Sequence, residues 1–207
     1  MIYGPRITLR PLSQDDEDLV YECLNDWLDV RGPYTRQRAI NDVGQGVKEN
    51  LFSHYPVGDA SDFFDNLVFE VSGNPFAFTR LRIFNRRVWV EHVSAKPEFR
   101  GKGLFGEMYR LYAYLVFEVY RADRVWFDGF EDVPALNRMR EKLNGQTVDS
   151  LRQRDKFSDR KSSKWLLDRE GYEAQPSLYA IDAHADRELL ERRSENAAKL
   201  RERYSLS

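Results

Sequence analysis

The chain has 207 residues, 42% hydrophobic and 14% aromatic, enough apolar surface for a core of ordinary domain size. Acidic and basic residues nearly balance at a net charge of −2, so the surface has no overall pull on nucleic acid or anionic membrane, and neither is an expected partner. One cysteine, Cys23, excludes an intrachain disulfide or a thiolate metal cluster and suits a cytoplasmic protein; no apolar run approaches the roughly 20 residues of a membrane helix.

Residues 6–12, RITLRPL, alternate Ile7 and Leu9 with Arg6, Thr8 and Arg10, the period of a strand with one buried face. Ser13 ahead of Asp15, Asp16 and Glu17 marks a helix start, because carboxylates are favoured at the positive end of the helix dipole. Leu19, Cys23, Trp27 and Val30 carry that helix to about residue 30, with Cys23 in its core face. From residue 32 to 66 the pattern weakens. Residues 36–52 suit a helix interrupted by Gly44 and Gly46, and 53–66 combines turn formers with Tyr55, Phe63 and Phe64. Irregular stretches of that length are often lids or binding loops.

Three strands are predicted next, over 66–72, 75–84 and 87–95, joined by the tight links Gly73-Asn74 and Asn85-Arg86. A helix over 104–121 carries Leu104, Met108, Leu111, Leu115 and Val119 on one stripe. VWFDGF (125–130) reads as a strand, and Pro134 opens a helix over 134–143 that Asn144-Gly145 ends. Strands around 147–155 and 163–168 follow. In the charged tail from 185 to 204, Leu190, Ala197 and Tyr204 recur every seven residues, which suits a homodimer seam or docking on the chain's own domain. The order predicts an α/β fold, a central mixed β-sheet flanked by helices on both faces, with a C-terminal helical tail. Residues 87–130 would be a crossover unit with parallel strands.

The stretch 98-EFRGKGLFGE-107 lies between a strand and a helix. Gly101 and Gly103 permit positive φ, the helix start supplies unpaired N–H groups, and Arg100 and Lys102 add charge. Alone, this suits either a plain glycine turn or a pyrophosphate cradle. The spacing fits neither a P-loop nor a dinucleotide fingerprint. The densest basic patch, 152-RQRDK-156 with 160-RKSSK-164, is interrupted by Asp155 and Asp159 and reads as a solvated hairpin.

These residues together resemble the GNAT superfamily of acetyl-CoA-dependent N-acyltransferases, whose loop reads (Arg/Gln)-x-x-Gly-x-(Gly/Ala). Arg100 to Leu104 matches five of the six positions; Phe105 takes the sixth and Gly106 comes one place late. PRITLRPLSQDD and RGKGLFGEMYRLYAYLVFEVYRADRV, including Glu107, are similar to the RimJ/RimL-type branch, which acetylates protein N-termini and related amines. EKLNG stands where that branch has EKLGF, and 151–170 is similar to its closing hairpin. The resemblance implies an acetyltransferase domain over 1–182, with 32–66 a variable acceptor-side insertion and 183–207 a helical tail.

It also implies acetyl-CoA as cosubstrate and no metal. Val93, Ser94 and Ala95 would meet the pantetheine arm. Arg100, Gly101, Lys102, Gly103, Leu104, Phe105 and Gly106 would hold the pyrophosphate. Asp132 or Val133 stands where the next helix usually begins with an asparagine, and Asn137 would compensate. An amine, either a protein N-terminus or a small molecule, would attack the thioester carbonyl and expel CoA thiolate. Glu91, nine residues before Arg100, is the expected base, in an apolar surround shared with Trp89 and Val93, with His92 on the opposite face. Arg140 occupies the slot of the family's tyrosine acid, and Tyr109, Tyr112 and Tyr114 read as packing residues. Two other readings stay open: a GNAT-fold protein that binds CoA or a partner without turnover, and a nucleic-acid-modifying relative that uses the basic hairpin.

Overall fold

The computed structural model describes residues 1–25, 28–29, 32–49, 62–84, 86–130, 137, 140–141, 145–154, 161–187 and 190–191. Its strands in chain order are β1 (Ile2–Tyr3), β2 (Ile7–Pro11), β3 (Leu28–Asp29), β4 (Gly32–Pro33), β5 (Asp62–Val71), β6 (Asn74–Phe84), β7 (Arg87–Ala95), β8 (Arg124–Phe130), β9 (Gln146–Arg154), β10 (Lys161–Asp168) and β11 (His184–Ala185). Helices α1 (Glu17–Leu24), α2 (Arg36–Glu49) and α3 (Phe105–Ala113) pack on the sheet; α3 continues as a π-helical turn, Tyr114–Val119. Among the described residues, nine strands form one sheet in the order β11-β1-β2-β5-β6-β7-β8-β10-β9. Of these described pairings, that of β7 with β8 alone is parallel, which is the crossover unit that the sequence predicts. The mixed α/β architecture is as expected.

Alternation along each strand divides the core into two layers. Ile7, Leu9, Leu67, Phe69, Leu81, Val88 and Val90 face α3, where Met108, Leu111, Tyr112, Leu115 and Val119 meet them. Leu12, Val68 and Phe78 face the other way, toward Leu19, Val20 and Cys23 of α1 and Ala39 and Val43 of α2. Each fully buried leucine or phenylalanine contributes roughly 1.5–3 kcal/mol of burial. These two layers hold the sheet between the helices.

Several elements differ from expectation. Helix α1 stops at Leu24, not near residue 30. Strand β5 begins at Asp62, so the end of the supposed irregular segment is sheet; Tyr55 lies outside the described residues. The β5–β6 hairpin turns on Ser72 (φ 52°) and Gly73 (φ 74°), with Val71 opposite Asn74, because a two-residue hairpin loop that follows the strand twist needs positive φ at both positions. Two short helices, Arg169–Glu173 and Pro176–Tyr179, follow β10, and His184–Ala185 pairs with β1 at the sheet edge. Of the predicted 134–143 helix, residues 137, 140 and 141 are described and are helical. Of the tail seam, Leu190 is described and exposed, while Ala197 and Tyr204 lie outside the described residues.

Two ionic clusters, the first largely buried and the second capped by the exposed Arg6 side chain, fix the start of the chain. Arg10 donates to both Asp16 oxygens at 2.7 Å and to Glu70 at 2.7 Å. Burial pushes the Asp16 carboxyl up, but the Arg10 and Ser13 hydrogen bonds outweigh it and hold the group below the usual aspartate range. Glu107, in the first turn of α3, accepts from the Arg6 and Ile7 backbone N–H groups at 2.8 and 3.0 Å and from Arg6 Nε at 2.7 Å. That clamp ties the beginning of α3 to β2, and so sets where the preceding loop stands.

Candidate active site

The glycine loop takes the backbone form that its sequence predicts. A 3₁₀ turn, Pro97–Phe99, leads out of β7; Gly101 (φ 78°) and Gly103 (φ 72°) then adopt left-handed conformations, and α3 begins at Phe105. A Cβ at either glycine would meet nothing within 4 Å, so the requirement is conformational rather than steric crowding. Leu104, the residue before α3, makes no side-chain cap, and the Glu107 N–H donates back to its carbonyl at 3.1 Å, which leaves the Phe105 and Gly106 N–H groups as the first-turn donors without an intrahelical acceptor. Arg100 Nε donates to the Ala95 carbonyl at 2.9 Å and pins the loop to the end of β7. The Lys102 ammonium lies 5.0 Å over the Phe99 ring. Phe105 packs against Tyr109 with the rings tilted and their centroids 5.0 Å apart, and Gly106 is exposed on the first turn.

Strand β7 is irregular at one place. On β6, Arg80 opposes His92 and Leu81 opposes Val90, so Glu91 is an extra residue, a β-bulge. Parallel pairing with β8 ends at Val90 and Phe127, and no further pair joins the two strands. The edge of β7 from Glu91 to Ala95 therefore borders a gap that opens toward the glycine loop. Val93 and Ala95 pack on the α3 side, while Ser94 Oγ donates to the Cys23 carbonyl at 2.9 Å on the other.

The bulge corrects the expected neighbourhood of Glu91. Trp89 opposes Arg82 and Val93 opposes Thr79, so these two residues lie on opposite faces and do not enclose Glu91. Glu91 is exposed, and its carboxylate sits 3.1 Å from Arg80 Nε rather than in an apolar surround. His92 opposes Arg80 and shares its face. The sequence carried a signal for this. Val88 and Val90 keep one parity and Val93 and Ala95 the other, a phase slip at 91–92 that marks an inserted residue.

On that face a cavity of about 280 Å³ lies between α1, α2 and the sheet, and sequence reasoning did not foresee it. His92, Arg80, Phe78 and Asn66 line it from the strands, and Tyr34, Arg38, Asp42 and Val43 from the α2 side. The Tyr34 hydroxyl donates to Asp42 at 2.8 Å, and Arg38 stands 4.8 Å over the Tyr34 ring. The His92 ring lies tilted against Phe78 with centroids 4.9 Å apart, and burial lowers its pKa to about 4, so the imidazole is neutral at physiological pH.

Other titratable groups are unsuited to acid–base work. Burial raises the Cys23 thiol to about 12, in keeping with its expected packing role. Burial also pushes the Tyr109 and Tyr112 hydroxyls well above the usual range, and Tyr109 stacks on Phe127 and Trp165. Asn137 is partly buried on its helical segment, and Arg140 accepts the Gly145 N–H at 2.9 Å through its backbone carbonyl. Among the described residues no helix is long and apolar enough to cross a membrane.

No protein-family model and no curated protein matches the chain. Solved structures do. A GNAT-family acetyltransferase from Bacillus anthracis superposes with a TM-score of 0.63 at 14% identity, covering 82% of this chain and 98% of its own. The spermidine N-acetyltransferase of Vibrio cholerae in complex with CoA and spermine gives 0.63 at 14% identity, covering 81% and 98%. At such identity the likeness defines the fold, and that fold is the GNAT acyltransferase fold.

Proposed function

We propose that the chain is an N-acetyltransferase of the RimJ/RimL-type branch, transferring the acetyl group of acetyl-CoA to a primary amine by direct attack on the thioester. The observation that carries this reading is the parting of β7 from β8 immediately after Val90, with the glycine loop and the α3 N-terminus at the head of the gap. Val93, Ser94 and Ala95 offer backbone groups along the gap to the pantetheine amide groups, and Gly101 to Gly106 offer N–H donors to the pyrophosphate. Bound there, acetyl-CoA would present its thioester at the bulge.

An amine must be unprotonated to attack, and protein N-termini and alkylamines ionise near pKa 8 and 10, so a proton acceptor raises the rate. Glu91 is the proposed base. The bulge sets it beside both the gap and the cavity-lining His92, and Arg80 Nε, 3.1 Å from its carboxylate, supports this reading as an orienting partner. CoA thiolate is a good enough leaving group to depart without a protein acid, which accommodates Arg140 in the tyrosine slot. The cytoplasm, where acetyl-CoA is abundant, is the proposed setting. The likeness to a polyamine acetyltransferase supports small-molecule amines among the acceptors.

Titration calorimetry with CoA, followed by thiol release with an amine panel, tests this. Binding with amine-dependent release is expected. Binding without release for any amine would favour the alternative of a CoA-binding protein without turnover.

A further inference from the structure

Resting on the acetyl-transfer reading, we infer that the cavity between α1, α2 and the sheet receives the acceptor, and that the acceptor is a single primary amine on a compact apolar body rather than a polyamine. The cavity and the thioester gap share β7: His92 lines the cavity, and Glu91 and Val93 beside it border the gap. An amine seated in the cavity therefore reaches the bulge without crossing the sheet.

Size and lining set the chemistry. At about 280 Å³ the cavity falls at the small end of ligand pockets, which span roughly 300–1,000 Å³, so a compact group suits it. Leu12, Val20, Leu24, Val43 and Phe78 make much of the wall apolar. Its charges are Arg38, Arg80 and Asp42, since buried His92 is neutral. Asp42 already accepts from Tyr34 and lies 4.0 Å from Arg38, and Glu91 at the rim pairs with Arg80. Among the described lining residues, then, no carboxylate lacks a cationic neighbour. A second ammonium would have to displace a guanidinium from its acid or sit beside it partly desolvated, and both are unfavourable. One ammonium, which becomes neutral before it reacts, escapes that penalty while its carbon body covers the apolar wall. Either a free arylalkylamine or a protein N-terminus with an apolar first side chain has this chemistry.

The test is equilibrium binding of phenethylamine, of a short peptide beginning with phenylalanine, and of spermidine to the CoA-saturated protein. Binding is read by calorimetry and by the ring resonances of His92, one of three histidines. At least one of the first two should bind and shift His92, with spermidine at least tenfold weaker; whichever binds better identifies the source of the amine. Arg38→Gln, checked by thermal melting, should shrink the discrimination against spermidine severalfold. Spermidine binding as tightly as the monoamines, or no ligand moving His92, would overturn the inference. CoA affinity, measured separately, stands or falls with the acetyl-transfer reading alone.

Discussion

Replacing Gly103 separates charge from backbone strain at the proposed pyrophosphate site. Its φ of 72° is a left-handed conformation, so any L-residue there costs about 1–2 kcal/mol of strain. Because a Cβ meets nothing within 4 Å, Gly103→Glu and Gly103→Gln share that strain and differ in charge alone. A carboxylate about 6 Å from one phosphate charge repels it by about 0.7 kcal/mol in bulk water and about 2.8 kcal/mol at the effective dielectric of a protein surface. The loop is exposed and the diphosphate carries more than one charge, so a penalty of roughly 1.5–3 kcal/mol is expected, about 10- to 150-fold in Kd. Calorimetric titration with CoA should find the Glu variant weaker than the Gln variant by that factor, with the gap narrowing at high salt. Melting curves of the two should coincide. Equal CoA affinities for Glu, Gln and wild type would refute the assignment of this loop.

Three further predictions concern single carboxylates. Glu91→Gln should lower kcat by about 10²–10⁴ near neutral pH, with the deficit shrinking as pH rises and free amine becomes abundant; a deficit constant from pH 7 to 10 would assign Glu91 to acceptor positioning. Asp65, fully buried with Tyr120 donating to Oδ2 and no described partner for Oδ1, has a carboxyl that burial pushes well above the usual range. Its folded state keeps a proton that the unfolded chain releases near pKa 3.9, so stability is full below that pH. Above it, stability falls by about 1.4 kcal/mol per pH unit until the raised folded pKa is passed. Asp65→Asn should flatten that slope in denaturant titrations and raise stability at neutral pH by on the order of 1–3 kcal/mol; a less stable Asn variant would contradict it. Glu107→Ala should cost about 1–3 kcal/mol, because it takes the acceptor from the Arg6 and buried Ile7 N–H groups at the α3–β2 clamp while the exposed Arg6 guanidinium rehydrates, and should also weaken CoA binding by loosening the loop; the measurements are chemical denaturation and CoA titration.

Much of the sheet was legible because alternation and periodicity are local. RITLRPL, PFAFTRLRIF and the Met108-Leu111-Leu115-Val119 stripe each reveal a buried face without knowledge of the partner. The glycine loop was legible for the same reason, since two glycines between a strand and a helix anticipate two positive φ angles. What escaped depends on pairing between distant segments. Two-residue strands such as Ile2–Tyr3 and His184–Ala185 are too short to show a period, and exist because each completes the other. The surroundings of Glu91 were misjudged because strict alternation was carried through a bulge, although the Val90-to-Val93 phase slip was there to be read. The cavity escaped altogether. It joins His92 to Arg38 and Asp42 across fifty or more positions, and no local pattern records that meeting.

Acetyl transfer from CoA to an amine at the bulge of β7 is tested by mass spectrometry of an amine and peptide panel incubated with the protein and acetyl-CoA, alongside quantitation of released CoA thiol. One acetyl group added per thiol released is expected, on a primary amine, with both signals weakened together in Gly103→Glu and Glu91→Gln. Thiol release with no acetylated amine, or transfer that persists at the wild-type rate in both variants, would contradict it.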